Sequence, residues 1–211
     1  MKNLLWFLLI VFSFKCYGQH KAYKFYHEKG FEISRKEFYE IRNNPDYLPL
    51  YLENDTARYG VIFYREKYGL LKDSEFQNLK DYLNSLKSDG IAADDVIVIN
   101  YLTGVSEAEQ NKNSRTNWNI FDRNYVRKLK KITDVSHFWI SPVDKEKLKY
   151  FYSNRVNWQK DNENLVKELF FPFELSYGYF IIIKPDGTYY YCLGEYSKYY
   201  VWEKTEEMLT L

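Results

Sequence analysis

Two short runs constrain this chain most. Val96-Ile97-Val98-Ile99 and Tyr179-Phe180-Ile181-Ile182-Ile183 are apolar at every position, with no alternation between faces. A strand written that way is covered on both sides, the habit of central strands in sheets with helices above and below. Helical patterns stand between them. Phe76, Leu79, Leu83 and Leu86 recur at helical spacing behind a capping-box signal at Ser74 and Gln77, which predicts a helix ending near Gly90. Trp118, Phe121, Tyr125, Leu129 and Ile132 predict a second helix, and Leu165, Val166, Leu169 and Phe170 a third, capped by Asp161 or Asn162 and stopped by Pro172. His137–Ile140 reads as a strand. Lys184-Pro185-Asp186-Gly187-Thr188 reads as a tight turn, with proline presetting φ and glycine accepting positive φ, so that Tyr189–Leu193 returns antiparallel to Tyr179–Ile183. A last helix is expected from about Tyr199 to Leu209.

With a β-rich run at Tyr59–Arg65 as the first strand, the order is β-α-β-α-β-α-β-β-α. Such alternation predicts an α/β fold: a central mixed sheet, mainly parallel, with helices on both faces and an antiparallel C-terminal hairpin at its edge, followed by a helix. The stretch before it, 19–57, reads as an N-terminal extension. Ser34 and Glu37 have capping-box spacing, and Ile33 and Phe38 the spacing of a hydrophobic staple, so a short helix is expected from Arg35 to about Arg42. Pro45 and Pro49 read as breakers after it. The expected organisation is therefore 1–18, 19–57 and 58–211. Ser141-Pro142 is a candidate start of a further short helix, and Lys149–Trp158 fits neither pattern.

Residues 1–18 have the build of a cleaved secretory signal. Lys2 supplies a positive start, Leu4–Phe12 a short apolar run, and Cys16 and Gly18 small residues before a cut at Gln19. The run is too short to span a bilayer, which takes about 20 apolar residues, and no later segment is apolar enough. Attachment of lipid to Cys16 is the rival reading, but Lys15 stands where a lipidation signal carries a small residue, so ordinary cleavage and a periplasmic or extracellular protein are expected. The chain has 30 basic and 29 acidic residues. That balance gives no electrostatic basis for binding nucleic acid or an anionic membrane. Aromatics make up 20% of the chain, with 22 tyrosines. They suit a binding surface for carbohydrate or protein. The skew also includes abundant Lys and Asn and scarce Ala, so a general bias with aromatics filling ordinary strands is the reading preferred.

The element order over Arg58–Leu211 resembles the thioredoxin-like superfamily, which includes thioredoxins, peroxiredoxins and exported thiol-disulfide proteins of bacterial envelopes. The local match is Tyr177-Gly178-Tyr179-Phe180-Ile181-Ile182-Ile183-Lys184-Pro185-Asp186-Gly187, which looks like that family's penultimate strand and hairpin. The family's thiol chemistry has no counterpart. Where redox members carry Cys-x-x-Cys or a peroxidatic cysteine, this chain reads Tyr101-Leu102-Thr103-Gly104-Val105-Ser106-Glu107-Ala108. Where they place a cis-proline, it reads Leu175-Ser176-Tyr177-Gly178. The resemblance then implies a scaffold kept without its catalysis, in a binding or scaffold role toward an unidentified protein or small molecule. The family's crevice, at the carboxyl ends of the strands, would place Thr103, Gly104, Trp118, Ser176 and Tyr177 at the binding site.

The remaining candidates weigh toward structural roles. Cys192 is the free thiol left after cleavage, and it sits in a strand pattern with no adjacent base. A plain buried thiol is expected; a one-cysteine enzyme using Cys192 is the alternative, and an exported immunity or inhibitor protein a further one. His20, His27 and His137 lack metal spacing, and His137 reads as a strand histidine. Arg123, Arg127, Lys130 and Lys131 read as a solvated helix face rather than a patch for an acidic partner. No glycine-rich nucleotide loop, metal cluster or cofactor motif is present in the sequence.

Overall fold

The computed structural model describes residues 21–87, 90–102, 118–142, 156–175 and 177–211. The export segment 1–18 with Cys16, the loop with Thr103 and Gly104, and Ser176 lie outside the described residues. The chain divides into two compact units, Met1–Tyr64 and Arg65–Leu211.

In the first unit, β1 (Ala22–His27), β2 (Glu32–Ile33), β3 (Tyr47–Glu53) and β4 (Ala57–Tyr64) form a four-stranded sheet in the order β2-β1-β4-β3. β1 and β4 run parallel, and β3 is antiparallel to β4. The helix α1 (Arg35–Arg42) starts where its cap predicts: the Ser34 hydroxyl accepts from the Glu37 amide at 3.1 Å. Phe38 is driven into a small core with Phe25, Ile33 and Ile62. Gly60 makes room for it, since a Cβ there would lie 2.8 Å from both Phe25 and Phe38 ring carbons.

This unit is more than the expected extension with one helix. The run expected at Tyr59–Arg65 as the first strand of the larger sheet is β4, paired here with β1 from Ala22↔Ala57 to His27↔Ile62. The prolines misled because Pro49 sits inside β3, an edge strand, where a missing N–H costs nothing.

In the second unit the strands are β5 (Glu66–Leu70), β6 (Val96–Tyr101), β7 (Val135–Ser141), β8 (Trp158–Lys160), β9 (Tyr179–Ile183) and β10 (Thr188–Leu193). They form one mixed sheet in the order β5-β10-β9-β6-β7-β8. β6, β7 and β8 are parallel, while β9 runs antiparallel to β6, β10 to β9 and β5 to β10. Every residue of β6 and β9 is buried, as their unalternated runs predict. Ile99, Phe138 and Ile181 are all core. The β9–β10 hairpin is central rather than the expected edge, because β5, a strand hidden in the sequence by Glu66, Lys67 and Gly69, pairs outside β10. Three parallel strands beside three antiparallel ones make the sheet mixed rather than mainly parallel.

The helices are α2 (Asp73–Ser85), α3 (Tyr125–Ile132), α4 (Leu165–Phe170) and α5 (Lys198–Met208). α3 and α5 supply Tyr125, Leu129, Val201 and Met208 to a core shared with Val98, Trp139, Phe180 and Ile182. On the other face, α2 brings Tyr82 to the Lys160 carbonyl, and Lys87 just beyond it to the Ser136 hydroxyl. α2 begins earlier than its sequence signal: the Glu75 carboxylate, not Gln77, reaches back to the Lys72 amide at 3.1 Å. The helix expected across Trp118–Ile132 is broken into a 3-10 turn at Asn119–Phe121 and then α3. Asp122 leaves the helical conformation between them, and its carboxylate holds the buried Lys198 ammonium at 2.6 Å.

Candidate functional site

The crevice implied by the resemblance lies at the carboxyl end of β6. Gly178, just before β9, has φ of +71°, and a Cβ there would fall 1.9 Å from the Tyr101 carbonyl oxygen. Only glycine lets this turn pass so close to the strand end. Tyr177 is exposed, and its ring meets Trp118 edge-on at 6.0 Å. Two of the five expected residues are thus brought together, and the other three lie outside the described residues. Trp118 is itself buried: its indole N–H donates to the Tyr196 carbonyl, and its ring packs on Tyr196 and Phe121.

An opening lies elsewhere, along the outer edge of β7. It is a cavity of about 880 Å³. His137, Phe138 and Trp139 form its floor, Leu86 and Lys87 one lip, Asp122, Arg123 and Val126 the other, and Asn157 and Gln159 one end. The volume is in the range of small-ligand sites. Phe121 and Trp139 stack at 5.2 Å on its aromatic side. Lys87 and Arg123 are rim cations, and the rim carboxylate Asp122 is engaged by Lys198.

Behind the floor is a buried polar layer centred on Asn100, which is wholly enclosed. Its Oδ1 accepts from the Tyr125 hydroxyl at 2.9 Å and lies 2.7 Å from His137 Nε2; its Nδ2 donates to the Tyr196 hydroxyl at 2.7 Å. An amide oxygen cannot donate, so His137 carries its proton on Nε2, leaving Nδ1 as an acceptor. Burial, then Lys130 and Lys87, push the imidazole down to about 3, so it is neutral at ordinary pH. His137 is accordingly a packed strand histidine, as expected, and also a wall of the cavity. Asn100 was readable as a site marker: a lone polar residue inside a doubly covered strand must find partners. The Tyr125–His137 pairing, which is tertiary, left no such mark.

On the opposite face, Tyr101 and Tyr179 stack at 4.8 Å beside the buried Asp161. The N-cap of α4 is Asn164 rather than the expected Asp161 or Asn162, but Asp161 Oδ2 reaches the first turn from outside and accepts from the Lys167 amide at 3.1 Å. Burial raises both phenols well above the usual tyrosine range.

Cys192, on β10, is 2% exposed, and its thiol is pushed up to about 12, by burial first and then by Glu66. Arg123, Arg127, Lys130 and Lys131 are all exposed. Among the described residues no group of three or more His, Cys, Asp or Glu side chains is arranged to hold a metal ion, and no helix is long and apolar enough to cross a membrane. No family model, curated protein or solved structure matches the chain.

Proposed function

We propose that this chain is an exported, thioredoxin-like protein that binds a partner and performs no thiol redox chemistry. One observation carries the second half of that reading: Cys192, the remaining thiol after the expected cleavage, is enclosed and held protonated, whereas exchange proceeds through an accessible thiolate. The cavity along β7 supports the first half, because a polar and aromatic hollow of this size over an ordered polar layer is the usual form of a ligand site.

The thioredoxin-like element of the proposal rests on connectivity. β6, α3 and β7 make a parallel unit, and β9, β10 and α5 an antiparallel hairpin closed by a helix. These elements support the reading, while the run expected as its first strand, Tyr59–Arg65, belongs to the four-stranded sheet of the other unit, and fold likeness of this kind carries no activity with it. Export rests on the composition of residues 1–18.

The test uses protein secreted by its own N-terminal segment. Its first residue should be at or near Gln19, insulin reduction should equal the blank, and a fragment screen by NMR should move the resonances of His137 and Gln159. Retention of Met1, or insulin reduction lost in Cys192→Ser, would overturn the reading.

A further inference from the structure

Among the described residues the outer edge of β7 is half covered. β8 pairs with it only from Trp139 to Ser141. The hydrogen bonds fix which way the uncovered residues point. The Ile140 carbonyl accepts from the Leu102 amide on the β6 side at 2.9 Å, and the Ser141 carbonyl accepts from the Asp161 amide on the opposite side at 2.9 Å. The Asp134 carbonyl likewise faces β6, through the Val96 amide at 3.0 Å. The N–H and C=O of one strand residue point to the same side, and successive residues alternate. Val135 and His137 therefore turn both main-chain groups outward, away from β6. Among the described residues the ladder to β8 begins only at Trp139, so His137, on the cavity floor, and Val135 beside it have two donors and two acceptors outside that ladder.

An uncovered strand edge is a template for another strand. Extended peptides use such edges through main-chain bonds, with flanking pockets choosing side chains. Here the flanks carry mostly positive charge, although Asp95 accepts from the Ser136 hydroxyl that Lys87 also reaches. Lys87 and Arg123 stand on the rim, Lys130 lies close enough to depress His137, and the one acidic rim residue, Asp122, is tied to Lys198. An occupant extending the β8 ladder along β7 would pass between these cations.

We infer that the Val135–His137 edge of β7 binds an extended peptide segment bearing acidic side chains, which adds to the sheet in line with β8. The inference rests on the binding reading above and names its partner class.

Selection of linear peptides from a random phage-displayed library on the mature protein should enrich sequences that alternate Asp or Glu with β-branched residues. The enriched peptides, made synthetically and titrated by NMR, should slow hydrogen exchange at the His137 amide by about tenfold or more. Arg123→Glu combined with Lys130→Glu, both exposed, should weaken binding about tenfold without lowering the thermal midpoint. His137→Pro, which removes the outward main-chain donor, should not bind even where circular dichroism shows it folded. Failure to enrich any peptide, enrichment of basic ones, or bound peptides that leave the His137 amide unprotected would overturn the inference. If in that case small polar fragments still shift His137 and Gln159, the binding reading stands without the peptide; if they do not, the binding reading falls as well.

Discussion

Cys192 should be almost inert toward alkylation while the protein is folded. The perturbation is iodoacetamide at pH 8, and the magnitude follows from the thiol's surroundings. A free thiol with a pKa of about 8.5 is about one quarter thiolate at that pH. Held up to about 12 by burial and by Glu66, Cys192 would be thiolate in about one molecule in ten thousand. The electrostatic factor alone slows the reaction by about three orders of magnitude. Enclosure adds to it, since the residue is 2% exposed between Tyr191 and Leu193. Alkylation should then follow unfolding, with a rate that rises with added urea in step with the unfolded fraction. The same shift has a stability consequence. Above pH 8.5 the unfolded chain loses a proton that the folded one keeps, so stability falls as pH rises toward 12, by at most about 1.4 kcal/mol per unit from this group. The assay is mass spectrometry of quenched time points, native against urea-denatured. Native alkylation within tenfold of the denatured rate, with an apparent pKa below 8.5, would refute the reasoning and favour a one-cysteine enzyme.

Asn100→Ala strands the Tyr125 hydroxyl, His137 Nε2 and the Tyr196 hydroxyl inside the core; at about 1–3 kcal/mol for each unsatisfied group, a loss of at least about 3 kcal/mol is expected in urea titration. His137 is depressed to about 3 by burial and by Lys130 and Lys87, against about 6.5 unfolded. Its contribution is therefore complete above pH 6.5 and is lost as pH falls toward 3, at up to about 1.4 kcal/mol per unit, softened where water in the cavity reaches the ring. His137→Gln should flatten that part of the acid limb, and an unchanged profile would contradict it. Gly178→Ala should cost at least about 2 kcal/mol, from positive φ plus the collision with the Tyr101 carbonyl; Gly187→Ala, where the nearest atoms stand at 3.6 Å, should cost less. Ile181→Ala should cost about 2–5 kcal/mol as a large-to-small change in a closed core.

Most of the second unit was legible because its signals are local. β6 and β9 declare themselves by apolar runs that no exposed strand would carry, and the Lys184–Thr188 turn by proline and glycine at the positions a reversal needs. That turn forms as read, with the Gly187 amide bonding to the Lys184 carbonyl at 2.9 Å. What was missed depends on partners distant in sequence. β5 is polar and glycine-containing, and it is a strand because Tyr189–Tyr191 of β10 offer an edge: the Tyr189 ring covers Gly69 so closely that a Cβ would lie 2.4 Å from it. The first unit failed for the same reason. Tyr47–Glu53 becomes a strand through Leu50↔Val61 and its neighbours in β4, and nothing within the segment outweighs its proline.

The site was less legible than the fold, and the reason lies in how it is made. The resemblance drew attention to the end of β6, where Trp118 packs on both Tyr177 and Tyr196. The cavity along β7 arises instead from the shortness of a strand. β8 covers three residues of a seven-residue neighbour, and the lips come from the end of α2 and the start of α3. No residue type announces an uncovered edge, since the groups it offers are main-chain. The polar layer beneath it does leave a trace, because Asn100 interrupts an apolar strand and must be paired. His137 supplies one of those pairings with its ring while its backbone faces the opposite edge. The same strand position thus fixes the interior amide network and forms the floor of the cavity. For that reason His137→Pro should abolish binding even where the protein still folds, since it removes the main-chain donor that the edge offers to an added strand.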